Sequence, residues 1–190
     1  MAIKSLKLKL TGLKPLLMHN GNILDPQNPY VIAMKKITSK RKKVDADLEE
    51  LSRLEFLGGL YLDENKNITI PPEVINGVFK KAAKLDKMGK KMESGVMCKN
   101  TVFTYEGPKD IDELYKCGGF VDRRRVKLGQ SAVMRTRPIF KKWSVVVELE
   151  YNEESIDKSD ILKAAGYGTS FVGIGDWKEV YGKFSSEEIK

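Results

Sequence analysis

Between Ile3 and Leu10 apolar and polar residues alternate, with Lys7 and Lys9 set between leucines, the period-two pattern of a strand with one buried face. Thr11-Gly12-Leu13-Lys14-Pro15 interrupts it, Leu16-Leu17-Met18 resumes it, and His19-Asn20-Gly21 turns away. Asp25-Pro26-Gln27-Asn28-Pro29 is a loop by its prolines. Asp47 followed by Glu50 predicts a helix start, Leu48, Leu51, Leu54, Phe56 and Leu57 give that helix an apolar face, and Gly58-Gly59 stops it. Residues 20–67 therefore form a helical insertion that carries an exposed basic arm. After a short extended piece at Ile68-Thr69-Ile70, Pro71-Pro72 opens a second helix, with Val74, Ile75, Val78, Phe79, Ala82 and Ala83 at helical spacing. Gly77 inside it costs about 1 kcal/mol against alanine, which predicts close packing or close approach there.

Val96–Thr104 is the next predicted strand, and Asp110 with Glu113 starts a short helix that ends before Gly118-Gly119. Ala132–Phe140 and Ser144–Tyr151 are strands joined near Lys141-Lys142-Trp143. Asp157 or Ser159 caps a helix through Ala165, and Tyr181–Phe184 closes the chain as a strand. Without the insertions the order is strand, helix, strand, strand, helix, strand. That order predicts an α+β fold, an antiparallel ferredoxin-like or RRM-like sheet, with residues 1–190 as one domain.

The chain is 190 residues long, with 41% hydrophobic and 32% charged residues, enough for a core without staples. Its apolar runs are too short to span a membrane and its N-terminus lacks a signal segment, so no membrane partner and a cytoplasmic location are the default expectation. Cys98 and Cys117 form neither a CxxC pair nor a cluster with histidine, so no disulfide framework and no zinc site is expected. No dinucleotide fingerprint or phosphate-binding Gly-Lys-Ser/Thr loop occurs, and no cofactor or metal is expected.

Charge changes the picture most. Residues 150–190 hold nine acidic and five basic side chains, so the other 149 residues carry a net +12 against a chain total of +8. Lys35, Lys36, Lys40, Arg41, Lys42 and Lys43 crowd into nine residues with no acid. Arg123, Arg124, Arg125, Lys127, Arg135, Arg137, Lys141 and Lys142 do the same between 123 and 142. Such fields attract polyanions, of which nucleic acid is the commonest inside cells. Single strands are held by cationic grooves that track phosphates and by aromatic planes that stack on bases. Candidate contacts are therefore Lys35, Lys36, Lys40, Arg41, Lys42, Lys43, Arg123, Arg124, Arg125, Lys127, Arg135 and Arg137. The stretch Phe171–Phe184, with glycines at 173, 175 and 182, adds Gly173 and Gly175 for close backbone approach, and Trp177 with Lys178 for stacking and charge. Trp143, also beside a lysine, is a further stacking candidate, although tryptophan is as often a core residue. The alternation Val133-x-Arg135-x-Arg137 turns both arginines to one sheet face.

Three blocks together carry a family resemblance: Lys14-Pro15-Leu16-Leu17-Met18-His19-Asn20-Gly21 after the first strand; Ile70-Pro71-Pro72-Glu73-Val74-Ile75-Asn76-Gly77 running into Val78–Ala83; and Gly173-Ile174-Gly175 through Tyr181-Gly182-Lys183-Phe184. In that order the chain resembles the RAMP superfamily, and more specifically the backbone subunits of CRISPR effector complexes and their stand-alone phage-encoded relatives. The resemblance implies an RRM-like core that binds a single-stranded guide RNA and stacks head to tail into a homo-oligomeric filament, with other CRISPR complex subunits as partners. The chain departs from relatives in its short length, in the composition of its 20–67 insertion and in a glycine loop poorer in glycine and arginine, so both RNA and single-stranded DNA stay open.

An enzyme is the competing class. His19, the only histidine, follows the first strand and is a candidate general base near neutral pH. Some RAMP relatives cleave RNA with a histidine in this region, while RNA-targeting backbone subunits use a loop aspartate, for which Asp25 is the positional candidate. No second catalytic group is identifiable, and a lone histidine at a strand end is more often structural. A third reading is a phage decoy that poisons a host CRISPR complex through protein contacts.

Overall fold

The computed structural model describes residues 2–190, and of Leu128 the backbone alone. In chain order its elements are β1 (Ile3–Gly12), β2 (Leu16–Leu17), α1 (Pro29–Thr38), α2 (Asp45–Gly59), α3 (Pro72–Ala83), α4 (Gly89–Gly95), β3 (Val96–Tyr105), α5 (Ile111–Lys116), β4 (Val121–Leu128), β5 (Ser131–Phe140), β6 (Trp143–Asn152), α6 (Lys158–Gly166) and β7 (Phe184–Ile189). They form two compact units. The first comprises the chain up to Leu16, Leu62–Glu106 and Phe140–Lys190; the second comprises Leu17–Tyr61 and Gly107–Ile139. Segment 20–67, read as an insertion, thus supplies the second unit as far as Tyr61, while 62–67 belong to the first.

In the first unit four strands pair antiparallel in the order β3-β6-β1-β7. With α3 between β1 and β3, and α6 between β6 and β7, this is the strand-helix-strand-strand-helix-strand plan, so the α+β ferredoxin-like class holds. One face is apolar: Leu6, Leu8 and Leu10 of β1 and Val145, Val147 and Leu149 of β6 are buried. Against it lie Ile75, Val78, Phe79 and Ala82 of α3 and Ile161, Ala164 and Ala165 of α6. Each large apolar side chain so placed contributes about 1.5–3 kcal/mol. The prolines fix the entry of α3, with Pro72 in its first turn, while Glu73 near its start and Lys80 and Lys81 near its end suit the helix dipole.

The opposite face of this sheet is laced with charge. Lys7 pairs with Glu148 at 2.7 Å, Lys9 with Glu187 at 3.7 Å and Lys99 with Glu150 at 3.4 Å. The aromatic residues of β3 and β6, Phe103, Tyr105, Trp143 and Tyr151, lie at core-facing register positions, with Phe103 and Tyr105 packed on Phe140 and Phe103 on Trp143. The face that an RRM uses for stacking therefore presents balanced charge and no aromatic ring.

Trp143, a stacking candidate in the sequence, is a core residue: it is buried, and its Nε1 donates to the Lys14 carbonyl at 2.9 Å. The last strand also differs from expectation. It runs Phe184–Ile189, and Tyr181–Lys183 belong to the preceding loop. Its polar Ser185-Ser186-Glu187-Glu188 run hides a strand signal because β7 is an edge strand, with Glu187 and Glu188 exposed.

In the second unit β2, β5 and β4 form a three-stranded sheet in that order, beside α1, α2 and α5. Ala132–Phe140, a correctly placed strand, thus belongs to a sheet of its own. Residues 29–38, read as loop and basic arm, are helix α1: Pro29 opens it, and Asn28 Oδ1 accepts from the Tyr30 N–H at 2.9 Å. Lys35 and Lys36 lie in its last turn. Helix α2 begins two residues before Asp47, whose carboxylate instead accepts from the Val44 N–H at 3.1 Å. Gly59 lets α2 approach the sheet, since a Cβ there would lie 2.9 Å from the Pro138 ring. Among the described residues no helix is long and apolar enough to cross a membrane.

Gly77 shows no internal reason for being glycine, because a Cβ built on it meets nothing within 4 Å. Gly77→Ala should raise the unfolding free energy by about 1 kcal/mol, the difference in helix propensity. Urea denaturation measures this, and a loss of stability would show that the helix needs glycine there.

Candidate nucleic-acid interface

The second unit holds the 35–43 cluster and the 123–137 part of the other, whereas Lys141 and Lys142 lie in the first unit, and the structure divides the second unit's members into two groups. Arg124 forms a two-pronged pair with Asp122 on the same face of β4. Arg135 reaches the buried Glu55 carboxylate at 2.5 Å, and Glu55 also accepts from the Thr136 N–H at 2.8 Å. A carboxylate inside this unit so holds both a strand N–H and a cation. Beside it Ser52 and Thr136 share a buried hydroxyl hydrogen bond of 2.9 Å. Arg137 is half-buried opposite Asp122 in the register. Lys40 pairs with Asp47 at 2.5 Å, and Lys43 donates to the Lys40 carbonyl at 3.1 Å. The Lys40 ammonium, with the Val44 N–H, holds the Asp47 carboxyl below its ordinary value.

The remaining cations, Lys35, Lys36, Arg41, Lys42, Arg123, Arg125 and Lys127, are exposed. No ion pair or hydrogen bond engages their charged ends among the described residues. Strand alternation explains the split within β4. Arg123, Arg125 and Lys127 share one exposed face, while Asp122, Arg124 and Val126 turn to the other and are half-buried. The sequence run Arg123-Arg124-Arg125 hides this, since period two becomes visible only once β4 is known to be a strand.

The glycine-rich loop lies in the first unit and is packed mostly on itself. Gly173 is buried, and a Cβ on it would lie 2.5 Å from the Tyr181 carbonyl oxygen, so the approach it permits is to its own loop. Gly182, at φ +66°, places its backbone against Ile174, donates to the Pro15 carbonyl at 2.8 Å, and its own carbonyl accepts from Ile174 N–H at 3.0 Å. Gly175 (φ +85°) and Trp177 (φ +46°) are both in the left-handed region. The Trp177 ring sits 6.5 Å from that of Tyr181 and is half-buried. Lys178 is half-buried too. Burial, and then the nearby Lys81 of α3, depress its pKa below the ordinary lysine value against the opposing pull of Asp176 and Glu179. Lys81 joins the candidate set here; only the folded loop brings it near Lys178.

At the two candidate catalytic positions, His19 bonds through its main chain and Asp25 in a local turn. The His19 carbonyl accepts from the Tyr61 hydroxyl at 3.0 Å, and the following Asn20 ties to the end of α2 through Leu60 O at 2.9 Å and Gly59 O at 3.1 Å. Asp25 Oδ1 accepts from the Gln27 N–H at 2.9 Å in a local turn. Among the described residues no three His, Cys, Asp or Glu side chains group to hold a metal ion.

No protein-family model matches the sequence, and no curated protein does. Among solved structures the fold is similar to a chain in the cryo-EM structure of the Type III-B Cmr-beta bound to cognate target RNA. The TM-score is 0.52 at 15% identity, over 99% of this chain and 59% of that one. At that identity the likeness is one of fold, and this chain spans well under two thirds of its neighbour's length.

The depressed Lys178 makes a pH prediction. The unfolded chain holds its proton to higher pH than the folded one, so stability rises with pH between the folded pKa and about 10.5, the unfolded value, and the contribution is smallest below the folded pKa. Lys178→Gln should flatten this alkaline rise in unfolding midpoints, and an unchanged pH profile would show Lys178 to be solvated.

Proposed function

We propose that the chain binds single-stranded RNA through the exposed cations of its second unit and coats the strand as a head-to-tail oligomer, in the manner of RAMP-type backbone subunits. One observation carries the reading: seven cations in two stretches stay exposed and uncompensated, while their neighbours Lys40, Arg124 and Arg135 are each matched by a carboxylate. Free cations of this kind release counterions from phosphates, which is the main source of sequence-independent affinity. The fold's likeness to a chain of an RNA-bound Cmr assembly supports RNA as the strand and other complex subunits as partners. The paired charges and absent aromatics on the outer sheet face of the first unit favour binding through hairpin and helix cations rather than through an RRM-type sheet surface. In the acidic C-terminal stretch, Asp157, Asp160 and Glu179 stand outside the ion pairs that hold Glu150, Glu153, Glu187 and Glu188, and offer a neighbouring copy a complement to its basic segment, which supports head-to-tail stacking.

A titration of fluorescent single-stranded RNA, single-stranded DNA and duplex at 50 and 200 mM salt tests this. Seven phosphate contacts on a single strand give a log–log salt slope of about −5, and affinity should fall on the order of a thousandfold across that range. The Arg41→Glu, Lys42→Glu double variant should weaken binding alike on all sequences and reduce the slope by about 1.4. Duplex binding as tight as single-strand binding, or a flat salt response, would overturn the reading.

A further inference from the structure

The β4–β5 hairpin carries a feature that the basic clusters as a whole do not. Its two strands pair in unbroken register from Val121↔Pro138 to Leu128↔Ser131 and are joined by Gly129-Gln130, with Gly129 at φ +60°. A two-residue turn of this kind holds the pair as a regular twisted ribbon. On one face stand Arg123, Arg125 and Lys127, each two residues from the next and so about 7 Å apart along the strand. Opposite them on β5, on the same face, are Thr136, Met134 and Ala132. No acid stands among these six residues. Met134 is 59% exposed and Ala132 is exposed as well, so the outer part of this face is open to solvent. The other face holds the hairpin's only carboxylate, Asp122, paired to Arg124, and the half-buried Arg137.

We infer that Arg123, Arg125 and Lys127 form a phosphate rail that takes three successive phosphates of one extended nucleic-acid strand, with Arg124 excluded from it. The inference rests on the reading of the chain as a strand binder and gives that site a register. A spacing of about 7 Å is close to one sugar–phosphate repeat of an extended strand, so each cation meets its own phosphate. The guanidiniums of Arg123 and Arg125 suit bidentate phosphate contact, and Lys127 acts as a point charge near the turn. Tyr115 lies close enough to Arg123 to feel its charge, but its hydroxyl is engaged by Glu49 at 3.0 Å. The rail contacts backbone only, so it does not select for sequence.

The test compares the full chain with an Arg123→Gln, Arg125→Gln, Lys127→Gln variant and with Arg124→Gln, using labelled oligouridylate from 50 to 200 mM salt. The triple variant should lose about 2 units of salt slope, and Arg124→Gln should leave the slope unchanged while lowering the unfolding midpoint. Far-ultraviolet circular dichroism checks that each is folded; if the triple variant is not, Lys127→Gln alone should remove about 0.7 of a unit. A triple variant, or a Lys127→Gln variant, with wild-type slope overturns the rail while leaving strand binding intact. Wild-type protein that binds no oligouridylate overturns the rail together with the reading it rests on. An equal loss of slope in Arg124→Gln overturns the facial division and shows a diffuse basic patch.

Discussion

The first unit depends on one close approach at the end of its central strand. Gly12 leaves room for the indole of Trp143, since a Cβ there would lie 2.3 Å from Nε1. The indole then reaches the Lys14 carbonyl, and the Leu13 and Lys14 N–H groups turn to the Lys183 carbonyl at 2.7 and 3.2 Å. Gly182 adds a bond to Pro15, and Phe184, opposite Gly12, packs on the bare backbone of Gly168. Strand β1, the start of β6, the start of β7 and the glycine-rich loop are joined there by contacts that a single Cβ would break. Overpacking of this kind in a rigid core forces side chains off their rotamers or moves backbone.

That constraint changes how the glycine loop is understood. A glycine-rich stretch near a chain end invites a reading as a ligand cradle, and positive φ at Gly175, Trp177 and Gly182 fits that idea geometrically. The buried glycines 173 and 182, however, serve the loop's own folding. Outward the loop presents the exposed Glu179 and Val180 and the half-buried Lys178, whose pKa is lowered by burial and by nearby Lys81 of α3. A cation desolvated this way gains more from an arriving anion than a fully hydrated lysine does.

In the second unit the decisive interactions are between charges. Glu55, buried on α2, ties down Arg135 and the Thr136 N–H of β5, and Asp122 ties down Arg124. Both carboxylates select which cations remain for a partner, and so turn a basic segment into a patterned surface. A fully unpaired cluster of six cations would repel itself; matching some of them lets the hairpin form and leaves the others aimed outward.

The sequence alone determined the order of the main sheet's strands and of the two helices packed on it, because the alternation in Ile3–Leu10 and Ser144–Tyr151 and the helical spacing in Pro72–Ala83 follow from burying one face of each element. It also determined where positive charge concentrates. It did not show that Ala132–Phe140 leaves the main sheet for a second one, because the alternation that marks a strand carries no record of its partner. Nor did it show β4 as a strand, since its run of arginines masks the period, or β7 beyond Phe184, since an edge strand needs little apolar content. The pairing of Arg135 with Glu55, 80 residues apart, and the seating of Trp143 in the core were decided by tertiary structure alone. Both depend on contacts between segments far apart in the chain, and local pattern contains no information about those.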